Sequence, residues 1–104
     1  MVGKGVTFDS GGMDLKISGA MLGMHHDKGG AGAVAGFFKV LSLLKPKGLK
    51  VIGTIPFVRN GVGAEATTCD EVIKARSGKR VRIVNTDAEG RMIMVDPLCE
   101  MKEK

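Results

Sequence analysis

The order of the apolar segments constrains the fold of this chain more than any other feature. A short β-prone run, residues 2–8, precedes a stretch with helical apolar spacing, residues 31–44, and a β-branched run follows at residues 49–58. A strand, a helix and a second strand in this order predict a right-handed βαβ crossover. Its two strands would be parallel, and the helix would pack on one face.

The boundaries of the helix are also indicated by single residues. Asp27 is expected to cap a helix that begins near Lys28, and Pro46 requires the helix to end before it. Residues 10–26 have no steady period and are predicted to form a loop. A connection of that length is uncommon unless it serves a function.

The second half of the sequence predicts a hairpin and a helix. Residues 71–84 contain two β-compatible runs around Ser77-Gly78, which indicates a hairpin turn. Residues 85–90 form a polar break. Residues 91–100 have helical composition, and Pro97 is expected to kink or restart that helix because it lacks an N–H group.

Composition excludes several classes of protein. The 104 residues suit one domain or less, and no run approaches the ~18 apolar residues of a membrane span. The N-terminal residues lack the layout of a signal peptide, so a cytoplasmic location is expected. Cys69 and Cys99 cannot form a disulfide framework and lack CxxC spacing. They are expected to be small buried hydrophobes.

Polar residues that could perform chemistry fall into four clusters. The segment NTDAEGR has two carboxylates and a guanidinium at alternate positions, which would share one face of an extended chain. The others lie in GKGVTFDSGG, in HHDKGG and at a single lysine between them. Each alone could be a solvated turn or a helix cap. The candidate residues are Lys4, Asp9, Lys16, Asp27, Asp87, Glu89 and Arg91.

The motifs GKGVTFDSGG, DKGGAGAV, KARSGK and NTDAEGR follow one another over nearly the whole chain. In this combination the chain resembles the leucyl aminopeptidases, cytosolic dinuclear-metal exopeptidases of the M17 type, whose signature is NTDAEGR. The resemblance implies an α/β fold, a three-layer αβα arrangement with a mixed, largely parallel sheet that is incomplete in this chain. It also implies that residues 1–104 are the central part of a C-terminal catalytic domain in a family of longer, hexameric proteins.

The resemblance also implies a role for each candidate. The carboxylates of Asp9 and Glu89 would touch both metal ions. Lys16 matches the catalytic lysine, and Arg91 matches an arginine that holds a bicarbonate ion for proton transfer to the leaving amine. Met24 matches a methionine that lines the side-chain pocket. The implied metal ligands are Lys4, Asp9, Asp27, Asp87 and Glu89, with Lys4 and Asp27 completing the tighter of the two sites.

Electrostatics is consistent with such a centre. Four carboxylates carry four negative charges, which two divalent cations would balance. Without metal, two carboxylates ~4 Å apart repel by about 4 kcal/mol at an effective dielectric constant near ~20. Lys4 could bind only as the neutral amine. Oxygen ligands with one amine suit zinc, manganese, magnesium or cobalt, and the donor set does not choose among them. Zinc is the expected metal.

The implied reaction is removal of an N-terminal residue, of leucine type, from peptides that have a free N-terminus. Two divalent ions would share the attacking hydroxide, and the Lys16 ammonium would stabilise the oxyanion. A catalytically inactive structural homologue is the alternative. All seven positions keep the family's residue type, which favours the active form.

Three other functional interpretations have weaker support in the sequence. The GAGAVA segment, residues 30–35, resembles a dinucleotide fingerprint, but no strand directly precedes it and no acid follows about 20 residues later. His25 and His26 are adjacent and have no third histidine, so a loop pair near the site is expected rather than a zinc site. The five cations of residues 74–82 have no interleaved aromatic residues, so a solvated hairpin is expected rather than a nucleic-acid interface.

Overall fold

The computed structural model describes all 104 residues. Strand β1 is Gly5–Asp9, helix α1 is Gly29–Leu44 and strand β2 is Phe57–Asn60. The two strands pair in parallel, and Asp9 lies opposite Asn60. The predicted order of strand, helix and strand is therefore confirmed, and with it the α/β class.

Both strands are shorter than their apolar runs predict. Val2 forms only an isolated parallel bridge with Thr54, and regular pairing resumes at Phe57. Pro56 lies between these two points and has no N–H group to donate to a ladder. The expected strands at residues 2–8 and 49–58 are therefore wrong in extent, since the proline interrupts the pairing.

Helix α1 begins at Gly29 without the predicted side-chain cap. The residue before the helix is Lys28, and neither Lys28 nor Asp27 accepts a capping hydrogen bond. The Asp27 carboxylate is instead paired with the Lys4 ammonium. The predicted cap is wrong because a salt bridge binds that carboxylate.

Helix α1 packs so closely against the segment that leads into β1 that glycine is required in both. A Cβ atom on Gly30 would lie 2.7 Å from the backbone nitrogen of Lys4, and one on Gly3 would lie 2.4 Å from the backbone oxygen of Gly30. The Ala31 amide donates to the Lys4 carbonyl at 2.8 Å. Gly30 of the GAGAVA segment therefore allows close packing, whereas a Cβ atom on Gly32 would meet nothing within 4 Å. Both glycines lie within a helix rather than between a strand and a helix.

The predicted hairpin is confirmed. Strand β3, Val72–Lys74, and strand β4, Arg80–Arg82, are antiparallel. Helix α2 is Glu89–Glu103 and continues through Pro97, so the expected restart there is wrong. A proline removes one hydrogen bond and crowds the preceding turn, and the remaining turns of α2 tolerate that loss.

The core is small, because only 12 of 104 residues are buried. The expected burial of the cysteines is wrong, since Cys69 is exposed and Cys99 is partly exposed, each thiol close to a carboxylate. No helix combines the length and the apolar character needed to cross a membrane. The apolar core consists of Val6, Ala31, Val34, Ala75 and Ile83.

Candidate metal centre

The parallel register brings Asp9 and Asn60 to the same edge of the sheet, where both strands end. Asp9 is 3% exposed, and its Oδ1 accepts from the Gly11 amide at 2.9 Å and from Asn60 Nδ2 at 2.8 Å. Burial raises the pKa of Asp9, but these hydrogen bonds and the charge of Lys16 outweigh it, so the pKa is lowered. Asp9 is therefore held as a carboxylate.

Two further carboxylates meet at the side chain of Lys4. Lys4 directly precedes β1, Asp27 precedes α1 and Glu89 is the first residue of α2. The Lys4 ammonium lies 2.7 Å from Asp27 Oδ2 and 2.8 Å from Glu89 Oε1. Burial lowers the pKa of Lys4, but the hydrogen bonds and charges of Asp27 and Glu89 raise it above its ordinary value.

Three carboxylates are close enough to hold a single ion. One oxygen from each of Asp9, Asp27 and Glu89 lies within 4.8 Å of the others. Asp27 Oδ2 and Glu89 Oε1 are buried, and the Lys4 ammonium contacts both. Carboxylate oxygens that converge in this way are the ligands that a hard divalent cation takes. The donor set therefore fits a metal ion.

Lys16 and Asp87 form the adjacent part of the cluster. Lys16 Nζ lies 3.0 Å from Asp9 Oδ2 and 2.5 Å from Asp87 Oδ1. The hydrogen bond with Asp87 is the main reason that the pKa of Lys16 is raised. Asp87 does not belong to the group of three carboxylates above.

The two ammonium groups balance only part of the negative charge. Asp9, Asp27, Asp87 and Glu89 carry four negative charges, and Lys4 and Lys16 carry two positive ones. Each of the four acids forms an ion pair with a lysine, and two of the four negative charges are left unbalanced. This imbalance is a second reason why the residues fit divalent ions.

The NTDAEGR segment is not extended. Residues 86–88 form a 3₁₀ turn, and the Asn85 side chain accepts from the Asp87 amide at 2.7 Å. Asp87 faces Lys16, whereas Glu89 faces Lys4. The idea that alternate residues share one face of an extended chain is therefore wrong, because the asparagine cap turns the segment into α2.

The remaining predicted residues are not drawn into the cluster. Arg91 is exposed on the first turn of α2 and forms no ion pair with these carboxylates. Met24 is partly exposed in a short 3₁₀ helix, Met24–His26. His25 and His26 share that helix rather than a loop, and both are exposed.

Asn60 is a site residue that the sequence motifs do not indicate. Its side-chain nitrogen, Nδ2, donates to Asp9 Oδ1 at 2.8 Å, to the Thr86 carbonyl at 3.0 Å and to Glu89 Oε2 at 3.2 Å. The signal that could have indicated Asn60 is its place at the end of a strand parallel to β1. Polar residues at the carboxyl ends of parallel strands gather at one edge.

Two of the five cations of the basic hairpin pair with acids. Arg76 forms an ion pair with Glu103 at 2.9 Å, and Arg82 forms one with Asp70 at 2.5 Å. These exposed pairs are consistent with the predicted solvated hairpin. They also reduce the positive charge that a nucleic acid could meet.

The chain is similar to named aminopeptidases. A Caenorhabditis elegans protein named "Putative aminopeptidase W07G4.4" is 58% identical over 104 residues, which are 100% of this chain and 20% of that protein. The structure of a leucine aminopeptidase from the same organism has a TM-score of 0.88 and 39% identity, and the match covers 98% of this chain and 21% of that one.

A third similar protein is the bottromycin maturation enzyme BotP in complex with Mn. Its TM-score is 0.86 at 41% identity, with 93% of this chain and 21% of that chain covered. This chain thus spans about one fifth of the length of its relatives. The catalytic domain of the cytosol aminopeptidase family matches residues 1–104. The chain therefore belongs to the cytosol aminopeptidase family.

Proposed function

We propose that this chain supplies the metal-binding part of a C-terminal catalytic domain that removes N-terminal residues from peptides. The observation that carries the proposal is the convergence of Asp9, Asp27 and Glu89, whose oxygens lie within 4.8 Å of one another. Family membership supports the same reaction class. Leucine-type first residues are the proposed preference.

Two divalent ions are proposed, held by Asp9, Asp27, Asp87 and Glu89 and by Lys4, which would have to lose its proton and bind as the neutral amine. Zinc is the first choice, and manganese, magnesium and cobalt suit the same donors. A manganese complex of a similar protein supports divalent metal use. When bound, such ions make water a nucleophile at neutral pH and polarise a carbonyl group.

Asn60 would keep the carboxylates in place for those ions. Its amide reaches both Asp9 and Glu89, so it joins the end of β2 to the start of α2 across the centre. Charge-assisted hydrogen bonds of this kind hold ligand carboxylates in one orientation. Asp9 has a second fixed donor in the Gly11 amide, at 2.9 Å.

Lys16 would act on the substrate rather than on a metal ion. The Asp87 and Asp9 carboxylates raise its pKa, so it stays an ammonium at neutral pH. An ammonium fixed beside the reacting carbonyl can donate to the oxygen that gains negative charge. Arg91 is exposed and unpaired with the acids, which leaves its guanidinium free to hold bicarbonate as a proton carrier.

Two wider properties follow from the family and are proposed with the activity. Cytoplasmic location is supported by the family's name, and a hexamer is proposed for the whole protein. The alternative of an inactive homologue is less well supported. It would be favoured by a replaced ligand, whereas the two lysines and the four carboxylates are all present and lie together.

Metal content and hydrolysis of a leucyl amide test the proposal together. They are measured for this chain, and for any longer polypeptide that carries it, after loading with Zn²⁺ or Mn²⁺. Glu89→Ala should lose at least one ion and its turnover. Glu100→Ala is the matched control, since Glu100 lies in the same helix and pairs only with Lys104 at the surface. Unchanged turnover in Glu89→Ala, with two ions bound to the parent, would show that the assigned roles are wrong.

A further inference from the structure

Asp14 lies in the loop between β1 and α1, outside every motif discussed above, and it is bonded to the loop that precedes α2. The Thr86 amide donates to Asp14 Oδ2 at 2.7 Å, and the Asp14 amide donates to Thr86 Oγ1 at 2.8 Å. The two residues thus exchange a reciprocal pair of hydrogen bonds across 72 positions of sequence. We call this pair the Asp14–Thr86 clasp.

The clasp is reinforced on both sides. The Thr86 hydroxyl, which is buried, donates to the Gly11 carbonyl at 2.7 Å. The Cys69 thiol donates to Asp14 Oδ2 at 3.1 Å. A carboxylate that accepts several donors forms charge-assisted bonds, which are stronger than neutral ones. Asp14 is therefore fixed, although the residue lies at the surface.

The two segments that the clasp joins are those that carry Lys16 and Asp87. Lys16 is two residues after Asp14, and Asp87 directly follows Thr86. Their side chains meet at 2.5 Å. Gly11 and Gly12 open this loop with φ angles of +89° and +69°, which residues with a side chain rarely adopt. The Lys16 amide donates to the Ser10 carbonyl at 2.8 Å, so the clasp is a second attachment for the loop after these glycines.

We infer that Asp14 is a positioning residue that acts through Thr86 to hold the Lys16 ammonium beside Asp87. The inference rests on the proposed function for its catalytic meaning, because Lys16 is the residue proposed to act on the substrate. The geometric part can be tested without any activity. Loss of the clasp frees the loop and exposes the Lys16 amine.

The test is competitive acetylation of lysines in metal-free protein with acetic anhydride, followed by peptide mass spectrometry. Asp14→Ala should raise the acetylation rate of Lys16 about tenfold relative to the exposed Lys45, as expected for the loss of a charge-assisted hydrogen bond. Asp14→Asn keeps an acceptor for the Thr86 amide but loses the charge, so a rise of about threefold is expected. Asp70→Asn removes one exposed acid that pairs with Arg82, and it should leave Lys16 unchanged.

An unchanged Lys16 rate in folded Asp14→Ala would overturn the inference. If Asp14→Ala unfolds, Lys16 becomes as reactive as the exposed lysines, and the intermediate rise in Asp14→Asn then decides the question. In active enzyme, Asp14→Asn should leave KM unchanged and lower kcat even when kcat is calculated per folded, metal-loaded chain, which a loss of folded protein would not do. If the acetylation pattern is as expected but no leucyl amide is hydrolysed, the positioning role holds and the proposed function fails.

Discussion

Replacement of Gly90 by alanine tests whether the position of Lys4 determines metal binding. Gly90 is buried in the first turn of α2, and the Lys4 side chain lies across it. A Cβ atom there would lie 2.7 Å from Lys4 Cδ, 2.8 Å from Cε and 3.0 Å from Nζ. Ordinary contact begins near 3.4 Å, so the stem of Lys4 must move by about 0.7 Å.

That movement should affect binding more than folding. Alanine is favoured over glycine in a helix by about 1 kcal/mol, which offsets part of the clash. Lys4 Nζ would then move away from its positions 2.7 Å from Asp27 Oδ2 and 2.8 Å from Glu89 Oε1. We expect Mn²⁺ affinity to fall about tenfold, the lower end of the effect of disturbing residues that orient ligands.

The assay is isothermal titration with Mn²⁺, together with thermal unfolding in the absence of metal. Gly36→Ala is the matched control, because Gly36 lies in α1 and a Cβ atom there would meet nothing within 4 Å. Gly36→Ala should raise the free energy of unfolding by about 0.5–1 kcal/mol and leave binding unchanged. Wild-type Mn²⁺ affinity in Gly90→Ala would refute the role given to Lys4.

Three further predictions concern the network around the centre and the surface. Asn60→Ala should lower the free energy of unfolding by about 1.5–3 kcal/mol, since it removes a donor to the buried Asp9 carboxylate; urea denaturation measures this, and no change would contradict it. The pKa of Asp9 is lowered in the folded state, so metal-free protein should lose stability as the pH falls through about 4 and below, and Asp9→Asn should flatten that dependence in acid titration. Arg82→Ala should change the free energy of unfolding by less than about 1 kcal/mol in the same denaturation assay, because its pair with Asp70 is largely exposed.

The sequence predicted the parts of the fold that depend on local patterns. Helix α1 ends before Pro46, and the hairpin forms where two β-compatible runs flank Ser77-Gly78. Both features follow from backbone rules that act within a few residues. The parallel pairing of β1 with β2 followed from the helix between them.

The errors arise where distant contacts override local preference. Asp27 has the residue type of a helix cap, yet the Lys4 ammonium binds its carboxylate. Cys69 has the residue type of a buried hydrophobe, yet its thiol lies at the surface beside Asp14. Pattern rules cannot indicate a partner 23 or more positions away, as these two pairs require.

The sequence predicted the charged residues of the candidate site but not the residues that hold them, because the latter depend on distant contacts. The motifs indicated the charged residues, because carboxylates and lysines at those spacings resemble a known family. Asn60 and Thr86 were not indicated, since their importance comes from the register of two strands and from the loop they meet. The roles of the seven candidate residues stay predictions until the ions are measured.

The decisive measurement is the number of divalent ions bound per chain, determined by elemental analysis after saturation with Zn²⁺ and removal of free metal. We predict two ions for the protein without substitutions, and fewer for the Asp9→Asn and Glu89→Gln variants. The Glu100→Gln variant, which changes an acid that pairs only at the surface, should keep both ions. A parent protein that binds no ion, or an Asp9→Asn, Glu89→Gln double variant that still binds two, would contradict a metal centre built from these acids.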